Sequence, residues 1–238
     1  MNTLLAISGC SIRLGQNLTS LNAAKRGLAL ADSLGELRSK ANFLNTIANI
    51  SFNNGQYDEC LKAYTESLET FQVLNSYGGM SMTAGNLALI YDQLGDFSTA
   101  RDYFKKSLAY AKTGDAERRY GHNSLNFGLA YLKKGIVDSA EYYLKEAKES
   151  FTKQNSYSNL IMADLRAGNI LTGQGHLLQA VDYFQSGLKS AEQQIDSAII
   201  AMSYSFLSNY YLALEEFEQA VENSRKAMQY YEYTDSPL

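Results

Sequence analysis

Proline is almost absent from this chain of 238 residues, since the single one is Pro237 in the tail. Interior prolines break helices, and strand-rich folds place prolines on edge strands and in turns. A chain of this length without an internal proline therefore favours helices throughout. The abundance of Ala, Leu, Ser, Tyr, Glu and Lys supports the same conclusion. We predict an all-α protein.

Cysteine, positive charge and long apolar runs are also scarce. Cys10 and Cys60 are too few for a disulfide framework and lie in no CxxC motif, so we expect them to be small buried hydrophobes. The net charge of -4 gives no basic stripe for nucleic acid or for an anionic membrane. No apolar run approaches the roughly 20 residues that span a bilayer. We predict no nucleic-acid partner, no membrane insertion and a cytoplasmic location; the alternative is the periplasmic sensor region of a membrane protein.

A short pattern returns along the chain at a fixed interval of 40 residues. The segment "LGDFSTARDYFKKSL" at 94–108 is echoed by "KGIVDSAEYYLKEA" further along. Its turn glycine recurs five times, and a glutamate stands at the sixth step. These turn residues are Gly15, Gly55, Gly95, Gly135, Gly175 and Glu215. Six repeats of one structural unit are therefore predicted, with boundaries near 1–40, 41–80, 81–120, 121–160, 161–200 and 201–238.

Columns of similar residues flank each turn residue. Five positions after it the residues are small, and seven positions before it they are small again, whereas nine positions after it they are mostly large. The small columns are Cys60, Ala100, Ala140, Ala180 and Ala220, and Ala48, Ala88, Gly128, Gly168 and Ser208. Two antiparallel helices approach closely where both carry small side chains. Each unit therefore reads as helix, turn, helix, and neighbouring units must stack to bury their apolar faces.

The segment "NLALIYDQLGDFSTARDYFKKSL" resembles the tetratricopeptide repeat, with its small, aromatic, turn, aromatic, small and aromatic positions. The matching residues are Ala88, Tyr91, Gly95, Phe97, Ala100, Phe104 and Leu108. The resemblance covers nearly the whole chain, although the first repeat, around Gly15, is degenerate. It implies a right-handed α-solenoid of about six helix-turn-helix repeats in a single domain, 1–238, with first helices inside and second helices outside.

The repeat here is longer than the common form of that family, which ends its second helix with a proline. The corresponding positions hold Gln72, Lys112, Thr152, Glu192 and Glu232. We therefore expect each second helix to continue by about a turn and a half, with breaks near "LNSYGG", "KTGDAE", "KQNSYS" and "EQQIDS". The longer period resembles the repeats of bacterial sensor and regulator proteins and of some eukaryotic scaffold proteins, and it does not distinguish between them.

Residues that could support catalysis are few. His122 and His176 are the only histidines, and no Ser/His/Asp or Cys/His order stands out. We predict no enzyme activity, no catalytic residue, no metal site and no cofactor. His176 follows a turn glycine and should be a solvated loop residue. The carboxylates are scattered over helix surfaces, which is typical of solvated faces.

The first helix of each unit carries a more informative pattern. In the resembling family these helices line a concave groove, so residues thirteen, nine and six positions before the turn should project into it. Asparagines, whose amides could bind peptide backbone, and methionines suited to adaptable pockets recur there. The predicted partner-binding residues are Asn49, Met82, Asn86, Leu89, His122, Asn126, Leu129, Met162, Arg166, Asn169, Met202 and Asn209. An alternative is that the asparagines bond within the scaffold and the methionines pack.

The sequence therefore predicts a non-enzymatic module that binds a protein or peptide in its groove, as the sensory or partner-binding region of a bacterial signalling or transcriptional regulator. A structural oligomerisation scaffold and a helical-array enzyme using His122 are the alternatives. The aromatic-rich end, "AMQYYEYTDSPL", leaves Met228, Tyr230, Tyr231 and Tyr233 without a following helix. We expect either a longer protein or a homodimer through this uncapped end.

Overall fold

The computed structural model describes residues 17–235, and these residues form eleven helices and no strand. The helices are α1 (Asn17–Leu34), α2 (Leu37–Asn53), α3 (Tyr57–Val73), α4 (Tyr77–Gln93), α5 (Phe97–Thr113), α6 (Glu117–Lys133), α7 (Val137–Lys153), α8 (Tyr157–Gly173), α9 (Leu177–Gln194), α10 (Ser197–Ala213) and α11 (Phe217–Asp235). The all-α prediction and the helix-turn-helix unit are confirmed.

Even-numbered helices are the first helices of the predicted units, and odd-numbered helices are the second. The pairs begin at Leu37, Tyr77, Glu117, Tyr157 and Ser197, about four residues before the expected boundaries. The second helices end near the predicted breaks. They continue only one to three residues beyond the positions where the common form of the family has a proline, which is less than the expected turn and a half. Residues 1–16, with Gly15, Cys10 and the expected first helix of repeat one, lie outside the described residues.

The described chain divides into two compact units, residues 17–123 and residues 124–235. The first unit contains α1 to α5 and the start of α6. The second contains the rest of α6 and α7 to α11. The expectation of a single domain that is part of a longer protein remains a prediction.

Each described helix except the last ends in a turn of two or three residues, which is built around one residue in the left-handed conformation. Gly55 has φ +73 and Gly135 has φ +71. At the first of these turns the Gly55 N–H donates to the Phe52 carbonyl over 2.9 Å, and the Gln56 N–H donates to the Ser51 carbonyl over 2.8 Å. These are the two closing bonds of a Schellman motif.

Left-handed residues recur every 20 positions, so the turns between units copy the turns within them. The full set is Gly35, Gly55, Asn75, Gly95, Asp115, Gly135, Asn155, Gly175, Ile195 and Glu215. Asn and Asp tolerate this conformation because their short polar side chains bond locally. A β-branched side chain does not, so Ile195, at φ +55, is held there by the helices on either side.

The small columns lie where the paired helices cross, as predicted. Cys60, Ala100, Ala140 and Ala180 are fully buried. A Cβ atom added to Gly128 would lie 3.0 Å from the Leu144 backbone nitrogen. At the last crossing the Ser208 hydroxyl donates to the Ala220 carbonyl over 2.8 Å. Only small side chains fit between these backbones.

Cys60 behaves as the sequence predicts. Its side chain is fully buried within the hydrophobic core of the first unit. Burial raises the pKa of the thiol to about 11, so the group stays protonated at neutral pH.

Buried polar side chains join neighbouring first helices in the first unit. The Asn45 amide, on α2, donates to the Ser67 hydroxyl over 2.8 Å and to the Thr83 hydroxyl over 3.0 Å. One repeat later, the Asn123 amide donates to the Ser81 hydroxyl over 3.0 Å. These bonds satisfy groups that would otherwise be costly to bury.

Asn123 fits against α4 because the residue beside it is a glycine. A Cβ atom added to Gly85 would lie 2.5 Å from the Asn123 Oδ1 atom. Any side chain at position 85 would therefore displace the buried amide, so the two positions depend on each other.

At the other end, α11 exposes apolar side chains. Met228 is 62% exposed and Tyr231 is 42% exposed. Tyr230 is half-buried, and the side chain of Tyr233 lies outside the described residues. The homodimer through this helix remains a prediction.

Replacing Ile195 with Gly should stabilise the protein by about 1 kcal/mol, because glycine adopts the left-handed conformation without steric cost. Ile195 is 83% exposed, so little packing is lost. A rise in the urea midpoint of unfolding would show this. Ile136→Gly is the matched control, since Ile136 is also exposed but has φ -91. An equal rise in both variants would contradict the strain argument.

Gly128→Val should destabilise the protein by about 1–3 kcal/mol, because the new side chain is forced against backbone atoms of α7. Thermal unfolding followed by circular dichroism measures the effect. Gly173→Ala serves as the control, because no atom lies within 4 Å of its added Cβ, and alanine favours the helix by about 1 kcal/mol. Equal unfolding temperatures for the two variants would show that the crossing is not tightly packed.

Candidate functional site

The predicted site residues lie on one stripe of the first helices, and all but Leu129 are at least partly exposed. Positions thirteen, nine and six before the turn follow one another at spacings of four and three, which places them on one side of a helix. We call the side chains at these positions the first-helix face. Its core-facing neighbours, such as Ala48 and Leu87, are fully buried.

First helices lie side by side within each unit, so their faces form a continuous surface there. In the first unit, bonds between Asn45 and Thr83 and between Ser81 and Asn123 connect α2, α4 and the start of α6. In the second unit, Arg166 on α8 reaches Asn126 on α6.

In the first unit, two of the predicted asparagines are engaged by the scaffold. The Tyr64 hydroxyl donates to the Asn49 Oδ1 atom over 2.6 Å, and it also hydrogen-bonds the side chain of Asn86. Burial raises the pKa of this phenol, so it remains a donor at neutral pH. Asn49 and Asn86 therefore act in part as structural residues, which is the alternative that the sequence left open.

The other predicted residues of the first unit have mixed exposure. Leu89 is 37% exposed, while Met82 and His122 are half-buried. This part of the face exposes Leu89 more than Met82 or His122.

In the second unit, five of the seven predicted residues fall into three groups. Asn169 and Asn209 are exposed and bond to no other described side chain. Met162 and Met202 are half-buried at the same height on α8 and α10. Leu129 is only 3% exposed, so we leave it out of the binding surface.

Arg166 and Asn126 form the polar centre of the second-unit face. Two guanidinium nitrogens of Arg166 donate to the Asn126 Oδ1 atom, each over 3.4 Å. These bonds are long for N–H···O contacts, and an arginine carries five donors. Loss of hydration lowers the pKa of Arg166, but a guanidinium remains charged in proteins. The side chain keeps most of its hydrogen-bonding capacity for another group.

A charged cluster that was not predicted from the sequence joins α7, α8 and α9. Asp164 is 5% exposed, forms an ion pair with Lys148 and accepts a bond from the Ser186 hydroxyl over 3.1 Å. The Lys148 amine also lies 5.4 Å from the centre of the Tyr183 ring. Burial, with the nearby charge of Asp164, raises the pKa of Tyr183.

A signal for this cluster exists in the repeat columns. Thirteen positions after the turn, the other repeats carry Leu68, Leu108, Leu188 and Met228, whereas this repeat carries Lys148. Eleven positions before the next turn stands Asp164, where the other repeats have Leu44, Ala84, Ser124 and Tyr204. Opposite charges in two columns that otherwise carry no charge predict a pair.

The larger of two described cavities in the second unit lies beside this cluster and away from the first-helix face. Its volume is about 730 Å³, and its lining includes Lys145, Lys148, Glu149, Lys153 and Tyr183. Charges of both signs line it, and the amine of Lys148 is already neutralised by Asp164. It favours no ligand class, so the first-helix face remains the candidate site.

The described residues contain no group of three His, Cys, Asp or Glu side chains that could hold a metal ion. None of the described helices is long and apolar enough to cross a membrane. His176 is exposed at the start of α9, as expected.

Comparison with known families shows which family the chain belongs to. It belongs to the MalT-like TPR region family, which matches residues 83–237, and a tetratricopeptide repeat matches residues 39–113. The predicted resemblance is therefore confirmed.

Individual relatives are distant. Tonsoku-like protein from Danio rerio is 23% identical over 191 residues, which is 80% of this chain and 12% of that protein. The chain thus spans about an eighth of that relative's length. BtubC (BKLC) from P. vanneervenii has a TM-score of 0.72 at 17% identity, with 92% of each chain covered.

A second solved structure was determined with a ligand. The Rap conjugation gene regulator of plasmid pLS20, in complex with the Phr* peptide, has a TM-score of 0.66 at 14% identity, covering 97% of this chain and 73% of that one. At these identities the structures show a shared fold, that of tetratricopeptide-type helical repeats.

Lys148→Leu should destabilise the protein by about 3 kcal/mol, because it leaves the Asp164 carboxylate buried without a counter-ion. The double variant Lys148→Leu with Asp164→Ala carries the residue types of the equivalent positions Leu68 and Ala84 in other repeats. Its free energy of unfolding should be close to that of the wild type. Urea unfolding of the two single variants and the double variant measures the coupling. Additive losses would show that the two charges do not stabilise each other.

Proposed function

We propose that this chain is a peptide-binding module without catalytic activity and that its ligand occupies the first-helix face. The observation that carries the proposal is the pair of exposed, unbonded amides of Asn169 and Asn209 beside the half-buried methionines Met162 and Met202. Asparagine is a poor residue for a helix interior unless its amide is used. Within the described residues neither amide has a structural use.

The chemistry of the face suits an extended peptide. A side-chain amide can donate to a backbone carbonyl and accept from a backbone N–H at the same time. Asn169 and Asn209 occupy equivalent positions on neighbouring first helices, so they can hold successive parts of one peptide backbone. Methionine side chains adapt their shape to different apolar anchors, which supports binding of short apolar residues between the amides.

Such a surface can bind a peptide with a micromolar dissociation constant. A micromolar dissociation constant corresponds to about -8 kcal/mol. A neutral hydrogen bond contributes about 0.5–1.5 kcal/mol, and burial of one Leu-sized anchor about 1.5–3 kcal/mol. Two engaged amides and a few anchors are therefore sufficient if the peptide is bound in an extended, ordered form.

We further propose that the module is the sensory or partner-binding region of a bacterial regulator. Membership of the MalT-like TPR region family supports this role, as does the shared fold with a conjugation gene regulator that binds a peptide. The structural scaffold and the enzyme using His122 are less favoured, because neither accounts for the exposed amides.

Asn169→Ala with Asn209→Ala should weaken peptide binding about tenfold, the loss of two neutral hydrogen bonds. Peptides are first selected from a phage-displayed random dodecapeptide library on the wild-type protein. Their affinities are then measured by fluorescence anisotropy. Gln185→Ala with Gln229→Ala is the matched control, because it removes two exposed amides from second helices.

Circular dichroism spectra matching the wild type are required of both double variants. If the asparagine variant binds the selected peptides with unchanged affinity, the ligand does not use this face and the proposal is wrong. If no peptide is selected at all, peptide binding itself is refuted.

A further inference from the structure

The smaller of the two described cavities in the second unit lies between α7 and α9, beside the ends of α6 and α8. Its volume is about 410 Å³, within the range of about 300–1,000 Å³ that is usual for small-molecule sites. The buried residues of its floor are Leu132, Ala140, Leu144 and Leu171. The exposed polar residues of its rim are Glu141, Gln174, His176, Gln179 and Asp182. None of the lining residues belongs to the first-helix face.

The cavity lies where three columns of the repeat carry smaller side chains. The columns two and nine positions after the turn and four positions before it are mostly aromatic, but around this cavity they hold Val137, Leu144 and Leu171. In repeats two to six the other residues of these columns are Tyr57, Phe97, Leu177 and Phe217; Tyr64, Phe104, Phe184 and Ser224; and Ser51, Tyr91, Tyr131 and Tyr211. Smaller side chains in a packed interior leave a void.

Tyr183, which also lines the cavity, lacks a stacking partner for the same reason. In the two preceding repeats, the tyrosine four positions before the turn stacks on the tyrosine eight positions after it. These pairs are Tyr91 with Tyr103, at 5.5 Å between ring centres, and Tyr131 with Tyr143, at 5.7 Å. In this repeat the first position is Leu171, and no ring of the described residues stacks on Tyr183. Lys148, which lies over the Tyr183 ring, lines the larger cavity and not this one.

The rim of the cavity carries negative charge that the protein does not balance. Glu141 on α7 and Asp182 on α9 line the cavity, and no Lys or Arg does. Neither carboxylate forms an ion pair with a described residue. Burial, and then the charges of Asp164 and Glu141, raise the pKa of Tyr183, which places the Glu141 carboxylate close to this ring. A cation beside Tyr183 is attracted both by carboxylates and by the face of the ring.

We propose that the second unit holds a site for a small organic cation, whose aromatic ring stacks on Tyr183 and whose protonated amine binds the rim carboxylates, Glu141 and Asp182. The ligand ring takes the place of the tyrosine that the preceding repeats supply, and the aliphatic floor covers its remaining surface. Hydrogen bonds from an ammonium group to a carboxylate are stronger than bonds between neutral groups. The site is separate from the first-helix face and does not depend on the peptide-binding function.

A free small molecule fits this cavity better than a segment of a partner protein. Stable protein interfaces bury about 1,200–2,000 Å² and have an apolar centre, whereas most of the exposed residues that line this cavity are polar. The volume is also near the lower end of the range for ligand pockets. An aryl-alkyl amine carries one ring and one positive charge, which are the groups that the cavity complements.

The test is a titration followed by NMR of protein labelled with ¹³C at the methyl groups of leucine and valine. The side chains of Val137, Leu144 and Leu171 line the cavity, so their methyl signals report its occupancy. The probe is 2-phenylethylammonium, and its neutral counterpart is 2-phenylethanol. Both should shift these signals, and the ammonium probe should bind about tenfold more tightly because it forms charge-assisted bonds.

Two variants separate the contributions of ring and charge. Leu171→Tyr restores the residue type of three other repeats, so the new ring should fill the cavity and abolish binding. Glu141→Gln with Asp182→Asn should reduce the affinity for the ammonium probe to that for the alcohol. Asp138→Asn with Glu218→Gln is the matched control, because it neutralises two exposed carboxylates of second helices that do not line the cavity. It should retain the tenfold preference.

Leu144→Phe fills the same cavity from α7, so the test does not depend on the folding of Leu171→Tyr alone. Cavity methyl signals that shift with neither ligand at millimolar concentrations would overturn the site. Equal affinities for the ammonium probe and the alcohol would overturn the assignment to a cation. Unchanged binding by a folded variant with a filled cavity would show that the ligand lies elsewhere.

The peptide Phe-Gly-Gly-amide carries the same ring and ammonium group at the start of a chain. Its weaker binding would support a free small molecule, and its tighter binding would overturn that assignment. All of these measurements concern the cavity between α7 and α9, so their failure would leave peptide binding at the first-helix face intact.

Discussion

The left-handed residue that closes each described helix except the last is the constraint on which the rest of the structure depends. Most of the helices are 17 residues long and are joined by three-residue turns, so the backbone repeats every 20 residues. This regular spacing returns each position of a first helix to the same place on the next first helix. The buried columns and the first-helix face both follow from it.

Much of the fold could be predicted because it depends on residues with few structural alternatives. A glycine at the turn and an alanine at the crossing have few substitutes, so they recur and the period becomes visible. The turns between units were harder to see as copies of the turns within them. There the left-handed position is occupied by Asn75, Asp115, Asn155 and Ile195. These residues share a backbone conformation but are of different types, so no sequence pattern reveals them.

The binding surface was only partly predictable, because a repeat position fixes where a side chain starts and not what it contacts. Asn49, Asn169 and Asn209 share one column. All three are exposed, but Asn49 accepts a bond from Tyr64, whereas the other two amides bond to no described side chain. The difference lies in the second helix, where the equivalents of Tyr64 are Phe104, Leu144, Phe184 and Ser224. A phenol in a single repeat therefore gives one of these surface amides a partner within the scaffold.

The contact between Gly85 and Asn123 has a consequence for how such an array can change through time. The glycine of one repeat leaves the space that the asparagine of the next repeat fills, at a distance no Cβ atom could share. Duplication or exchange of one of these repeats would place the asparagine amide against a side chain in place of the glycine. Alternatively, it would leave a cavity beside the glycine. Identical repeats can be exchanged for one another, but these two repeats cannot. Their order along the chain is therefore constrained by the packing between them.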